Sequence, residues 1–451
     1  MQPVQTPTFA ALTEGRIAPP MAARPGPDLA AAGYTESEWA ASGEAVSYAV
    51  GELPTDGRVQ LAVTDSAPFA TRVLVRRPDA ERFSGVVVVE WLNVSGGQDA
   101  APEYTYLAEE ILRAGHAWVG VSAQFVGVEG GDAAVSMGGQ TVGLREQRPE
   151  RYGDLHHPGD AYAYDIVTQV GRFCREAHDS GPLAGLVPQT VVAIGESQSA
   201  IALTSYIDGV HPLAGVFDGF LLHSRGGGAL PFDDRGRAAG ITSAITSPTL
   251  LLREDLDAPV LVVQAEGDLG GLLDSARSRQ PDSDRVVTWE IAGQAHADAY
   301  QLGELAGLVD CGGAINSGQQ VFVVRAALRH LLSWVGGGAR PPAAPPIELD
   351  SGGEVVTGEL GIGRGGVRTP AVEAPVETLV GAPYPRSAPF CMLLGRTQEV
   401  PEEQLRRRWS GREEYLRAYA EATDRLIAAG FLLAEDSAEI LADARPERIT
   451  W

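Results

Sequence analysis

Six apolar runs of strand length constrain this chain more than any other feature of its sequence. They read GVVVVEWLN at 85–93, HAWVGVSA at 116–123, TVVAIG at 190–195, VFDGFLLHS at 216–224, APVLVVQAEGD at 258–268 and RVVTWEIAG at 285–293. A strand that is apolar on both of its alternating faces has to be covered on both sides, which an exposed antiparallel hairpin cannot provide. Between and beyond the runs lie helix-patterned segments: EYTYLAEEILRAG, AYAYDIVTQVGRFCREA at 161–177, SAIALTSYI, and QQVFVVRAALRHLLSWV at 319–335. Strand and helix in alternation predict an α/β protein with a mostly parallel, doubly wound sheet. The earlier runs VSYAV, VQLAV and TRVLVRR, between about 45 and 78, are short and separated by turn residues, so they predict an antiparallel opening of that sheet.

The Pro-rich stretch ARPPAAPP at 339–346 reads as a linker, because proline lacks the N–H that helices and ladders need. It divides the chain into a main domain, 1–338, and an extension, 347–451, made of a Gly-rich β-like stretch (351–386) and a helical tail rich in Arg and Glu. So few aromatic residues make a thin core, and the extension is expected to pack as a cap on the main domain. The segment 226–257, opened by three glycines after His223-Ser224-Arg225, reads either as a lid over a crevice or as an ordinary surface insertion.

Charge and composition remove several classes of function. The chain has 35 basic residues against 59 acidic ones, a formal charge of −24, and every basic residue is arginine. Without lysine there is no Schiff base, no pyridoxal anchor and no P-loop. An acidic surface repels phosphate backbones, so nucleic acid is not an expected partner. Cys174, Cys311 and Cys391 form no CxxC pair, although a Cys311–Cys391 bridge stays open. His156-His157 has no partner at metal-ligand spacing, and neither a metal nor a cofactor is expected. No apolar run approaches the roughly 20 residues of a membrane helix. The stretch MQPVQTPTFAALTEGR lacks the basic start and apolar core of a signal peptide, which favours a cytoplasmic location. Asn93-Val94-Ser95 reads as a chance sequon and RRRWSGREEYLR as a solvated helix face. A homo-oligomer is left open.

The strongest local signal is Gly195-Glu196-Ser197-Gln198-Ser199, placed between an apolar strand and an apolar helix. A tight strand-to-helix turn of this kind holds a serine hydroxyl at the sheet's carboxyl edge, facing a helix N-terminus. The usual second glycine is replaced by Ser199, giving GxSxS, and the pentapeptide alone fits a plain β-turn as well as it fits a nucleophile. Chain order decides between them. Glu266-Gly267-Asp268 ends the run at 258–268, and Gln294-Ala295-His296 follows the run at 285–293, so a serine, an acid and a histidine each come directly after a core strand. Loops from one sheet edge converge on one crevice. Ser197 is therefore the candidate nucleophile, His296 the base and Asp268 the acid, with Glu266 as the alternative acid and Asp298 a weaker third. The oxyanion hole is expected to use the N–H of Gln198 and a donor from Leu92 or Asn93. Trp91 and His223 are candidate pocket residues.

At this point the chain resembles the α/β-hydrolase-domain proteins with a GxSQSA nucleophile motif. The resemblance rests on GYTESEWAASGEAVSY, VVVEWLNVSGGQD, GESQSA, FDGFLLHSRG, EIAGQAHAD, RPPAAPPIEL, GGVRTPAVEAPVETLVG, LLGRTQEV and AAGFLLAEDSAEIL, in that order along nearly the whole chain. It implies an α/β-hydrolase fold, accepts Ser199 where a glycine is usual, and implies hydrolysis of a small-molecule carboxylic ester without naming a substrate. Two rivals use the same residues or the same fold: an acyltransferase acting through the same acyl-enzyme, and a binding protein without turnover.

Overall fold

The computed structural model describes residues 5–451 apart from 23, 52, 135–140, 386 and 387. Residues 1–4 of the amino-terminal stretch and residue 386 of the Gly-rich stretch therefore lie outside the described residues. Nine strands form one sheet: β1 (Thr8–Ala11), β2 (Tyr34–Val50), β3 (Leu61–Pro78), β4 (Val86–Trp91), β5 (Ala117–Val121), β6 (Thr190–Glu196), β7 (Gly219–His223), β8 (Val260–Ala265) and β9 (Val286–Ile291). Their order is β1-β2-β3-β5-β4-β6-β7-β8-β9. The β1–β2, β2–β3 and β3–β5 pairs are antiparallel and all later pairs are parallel. The three short β-rich runs of the opening turn out to belong to two strands of 17 and 18 residues. Polar residues along them, Ser42, Glu44, Asp65 and Ser66 among others, resemble turns in sequence but stay paired in the ladder, with Thr64 left over at a bulge.

Four helices matter for the crevice: α1 (Pro102–Ala114), α2 (Ala163–Cys174), α3 (Gln198–Ser205) and α4 (Gln320–Val335). Alternation along β4 shows why the sheet needs both layers. Val87, Val89 and Trp91 enter one apolar cluster with Ile166, Val170 and Ile201, whereas Val88 and Leu92 enter a second with Leu107, Ile111, Phe322 and Leu328. The α1 helix starts on a buried acid: Glu90 accepts the N–H groups of Glu103 and Tyr104 at 3.1 and 3.0 Å and the indole N–H of Trp118 at 2.8 Å. It ends at Gly115 with φ 73°, where a Cβ would lie 2.2 Å from the Arg82 carbonyl, so a glycine is required.

Residues beyond 346 lie against the sheet's far end through buried polar contacts. Arg279 holds Glu290 by two bonds of 2.7 and 2.6 Å, and the same carboxylate accepts the Ile347 N–H at 2.7 Å. Helix α5 (Arg412–Ala429) buries Tyr415 and Tyr419 in the second cluster and exposes its charged face. Among the described residues no helix is long and apolar enough to cross a membrane.

Candidate active site

Parallel winding reverses direction at β4, whose neighbours β5 and β6 are both parallel to it, and a crevice opens at such a switch point beyond the carboxyl ends of the strands. Ser197 follows β6 there with φ 61° and ψ −122°, a left-handed conformation that costs a side-chain-bearing residue about 1–3 kcal/mol. The turn has no room for a side chain at residue 195: a Cβ on Gly195 would lie 2.9 Å from the Ser199 Cβ. Ser199 is fully buried on the other side of that contact. The Ser197 N–H donates to the His223 carbonyl at 2.9 Å, which fixes the turn against β7.

Three of the expected residues meet. His296 Nε2 lies 2.9 Å from Ser197 Oγ, and His296 Nδ1 lies 2.8 Å from Asp268 Oδ1. The other oxygen of Asp268 accepts the Ala265 N–H at 2.7 Å, so this fully buried carboxylate is fixed from two sides. Such a line can take a proton from the serine hydroxyl and stabilise the imidazolium that results.

Glu266 goes elsewhere. A 3₁₀ turn over Glu266–Asp268 points its carboxylate away from the imidazole, onto the N–H groups of Gly293 at 2.7 Å and of Gly363 and Gly381 at 3.2 Å each. Asp298 caps the short helix Ala299–Leu302, accepting the Gln301 N–H at 3.0 Å and the Tyr106 hydroxyl at 3.1 Å. Burial pushes its pKa up to about 6.

The donors differ in part from expectation. Gln198 opens α3, where first-turn N–H groups have no intrahelical acceptor. The Leu92 N–H, however, donates to Val121 at 3.1 Å, because residue 92 extends the β4–β5 ladder by one step, and the Asn93 N–H donates to Ala100 at 2.9 Å. What Asn93 brings to the crevice is its side chain: Nδ2 donates to the Glu196 carbonyl, beside Ser197, at 3.0 Å and carries a second N–H. The same use of a buried amide takes the sequon out of reach of a glycan. The loop that carries Asn93 is fixed from below by buried Arg72, which binds Asp99 at 2.7 Å and Glu38 at 3.2 Å.

Trp91 does not face the crevice. It points with Val87 and Val89 into the first core cluster, bonding Gln124 at 3.2 Å. His223 is likewise fully buried, below the serine turn, with Nδ1 2.8 Å from Glu103 Oε2. Nor do the described residues of segment 226–257 line the crevice; Leu230, Phe232, Leu250 and Leu252 pack into the first core cluster.

The walls come from unexpected places. A cavity of about 220 Å³ beside Ser197 and His296 is lined by Met21, Pro102, Leu302, Leu305 and Leu393. Met21 lies along Ala100 through its own bridge, and the Leu393 carbonyl accepts the Ala297 N–H at 2.9 Å. Two of these stretches, 302–305 and 393, are tied together behind the wall by the Cys311–Cys391 disulfide, Cα atoms 5.7 Å apart. Replacing both cysteines by serine is expected to lower stability by up to about 4.5 kcal/mol, the loop-entropy figure for a closure of 80 residues. Thermal unfolding with and without the bridge measures it, and an unchanged midpoint would show that the wall holds without covalent help.

Sequence reasoning missed Glu103, Glu196 and Gln301. Glu196 and Gln301 line the crevice, with Gln301 Nε2 donating to both carboxylate oxygens of Glu196 at 2.9 Å. Glu103, Glu196 and His223 bring their polar atoms within 4.8 Å of one another in the buried floor. The His223 imidazole is committed to Glu103, which makes the group an ion pair with one further carboxylate beside it. An acid that ends an apolar strand, as Glu196 does, was the one available signal.

A family model described as "Alpha/beta hydrolase domain" matches residues 4–442. No curated protein resembles the chain closely enough to count as a match. Solved structures of similar fold include the ferulic-acid complex of Est1E from Butyrivibrio proteoclasticus, 10% identical, covering 59% of this chain and 96% of that one with a TM-score of 0.31. A serine hydrolase without a lid from Xanthomonas campestris is 13% identical and covers 55% and 83% with a TM-score of 0.27. A glucuronoyl esterase from Solibacter usitatus is 14% identical and covers 54% and 80% with a TM-score of 0.28.

Proposed function

The chain belongs to the alpha/beta hydrolase domain family, and from that premise we propose that it hydrolyses small-molecule carboxylic esters through an acyl-enzyme, without a cofactor. The observation that carries this is the unbroken line of hydrogen bonds from Asp268 through His296 to the strained Ser197. In this reading His296 Nε2 removes the Ser197 proton as Oγ attacks the acyl carbon, and Asp268 steadies the imidazolium. The protonated His296 then delivers its proton to the leaving alcohol. Water, activated by the same imidazole, releases the acid and restores the serine.

The developing oxyanion would be held by the Gln198 N–H and the free N–H of the Asn93 amide. Asn93→Ala is accordingly expected to lower kcat by about 100-fold or more with little change in KM, the usual signature of a lost oxyanion donor. Steady-state kinetics on a p-nitrophenyl ester checks it, and a drop confined to KM would take Asn93 out of that role.

The direct test is intact mass after treatment with a fluorophosphonate, followed by peptide mapping. One adduct on the GESQSA peptide, absent from Ser197→Ala, is expected. A folded protein that takes no adduct would favour the binding-protein reading.

A further inference from the structure

Beneath the crevice the charges do not balance. Glu103 and Glu196 are both buried, and one imidazole, His223, lies between them as the cation available to the pair. His223 spends its Nδ1 on Glu103, and its pKa is raised to about 9 by the carboxylates around it against the opposing effect of burial. That leaves Glu196 with one direct donor, the neutral amide of Gln301, and no ion pair among the described residues. His223 Nε2 and Glu103 Oε1 are buried without hydrogen-bond partners among the described residues, so from that side Glu196 feels the charge of His223 but receives no hydrogen bond. The other charges that act on Glu196 supply no ion pair among the described residues: His296 is bonded to Asp268, and Glu103 is a further acid. A carboxylate in a mostly apolar crevice with only an amide as partner is costly as an anion, and a cation brought in by a ligand offsets that cost.

Resting on the ester-hydrolase reading of the same crevice, we propose that Glu196, held by Gln301, forms a cation subsite that selects esters carrying a compact cationic group beside the scissile bond and rejects anionic ones. The apolar remainder of the lining, Met21, Pro102, Leu302, Leu305 and Leu393, suits alkyl groups around that charge better than a hydrated ion. A quaternary or alkylated ammonium is thus the matching chemistry. It adds apolar contact with the walls and brings its charge to the carboxylate without demanding a full hydration shell.

Choline and 3,3-dimethylbutan-1-ol have the same shape and differ only in charge. Their binding is compared by calorimetry, which needs no turnover, in about 0.5 M salt so that the long-range field of the acidic surface is screened. Wild type is expected to bind choline about tenfold more tightly than the neutral alcohol, and Glu196→Gln to bind both equally. Equal binding in wild type, or a preference that survives in Glu196→Gln, would overturn the proposal. A second measurement needs no variant. Burial raises the Glu196 pKa to about 7, against the pull of His223 and His296. The carboxylate is therefore charged above that pH and neutral below it, and the preference should grow as pH rises through about 7. A preference that is flat across that range is the contrary result. Fluorophosphonate labelling of Ser197 reads the hydrolase assignment separately, so the failure of one idea is not mistaken for the failure of the other.

Discussion

Ser197→Ala is expected to lower ester hydrolysis by roughly 10⁴-fold or more, to abolish fluorophosphonate labelling, and to leave the melting midpoint almost unchanged. The last part follows from the backbone. The left-handed conformation at residue 197 is enforced by the Ser197 N–H bond to His223 and by the contact of Gly195 with Ser199, not by the hydroxyl. Alanine keeps a Cβ and so keeps the strain. Glycine does not, and Ser197→Gly is expected to be equally inactive yet more stable by about 1 kcal/mol, because glycine adopts positive φ without steric cost. Thermal unfolding of the three proteins side by side checks this. If the alanine variant keeps substantial turnover, Ser197 is not the nucleophile; if the glycine variant is no more stable, the strain is relieved elsewhere.

The second large effect separates two acids that are neighbours in sequence. Asp268→Asn is expected to cost roughly 10⁴-fold in kcat with little loss of stability, since an amide at that place no longer stabilises the imidazolium and favours the wrong tautomer. Glu266→Gln should do the reverse. Its carboxylate accepts three backbone N–H groups from Gly293, Gly363 and Gly381, and an amide offers one acceptor oxygen and sets a donor against donors. A loss of about 2–4 kcal/mol in stability is expected, with kcat kept within about threefold. Kinetics and denaturant unfolding on both variants give the answer. Loss of turnover in Glu266→Gln with full activity in Asp268→Asn would exchange the roles.

That pair also marks how far the sequence could be read. Ser197, Asp268 and His296 were each visible because each lies within five residues of the end of a strand that is apolar on both faces, and such strands are conspicuous. Between Glu266 and Asp268 the sequence favoured Asp268 from its position after the strand, but the physical reason lay outside it. The choice is made by one 3₁₀ turn and by glycines about a hundred residues downstream that receive the other carboxylate. The long strands β2 and β3 were read as short runs because their polar residues mimic turns, and it is pairing, chiefly with each other, that keeps them extended. Trp91 fell on the wrong side for want of one bit of information, the face of β4 that α2 and α3 cover. The crevice walls were least legible. Met21, Leu302 and Leu393 share no local pattern, and it is tertiary packing that brings them beside Ser197.

The disulfide behind that wall makes the crevice a product of maturation as well as of sequence. Where glutathione keeps thiols reduced, residues 302–311 and 389–394 would be held together by a small apolar cluster around Leu302, Ile315 and Leu394 and by backbone bonds from Ala297 and Asn316 to Leu393 and Leu394, without a covalent link. The same polypeptide folded under oxidising conditions has that wall locked. Two preparations of identical sequence could then differ in how tightly they hold a substrate, and the redox history of a sample becomes part of its specificity.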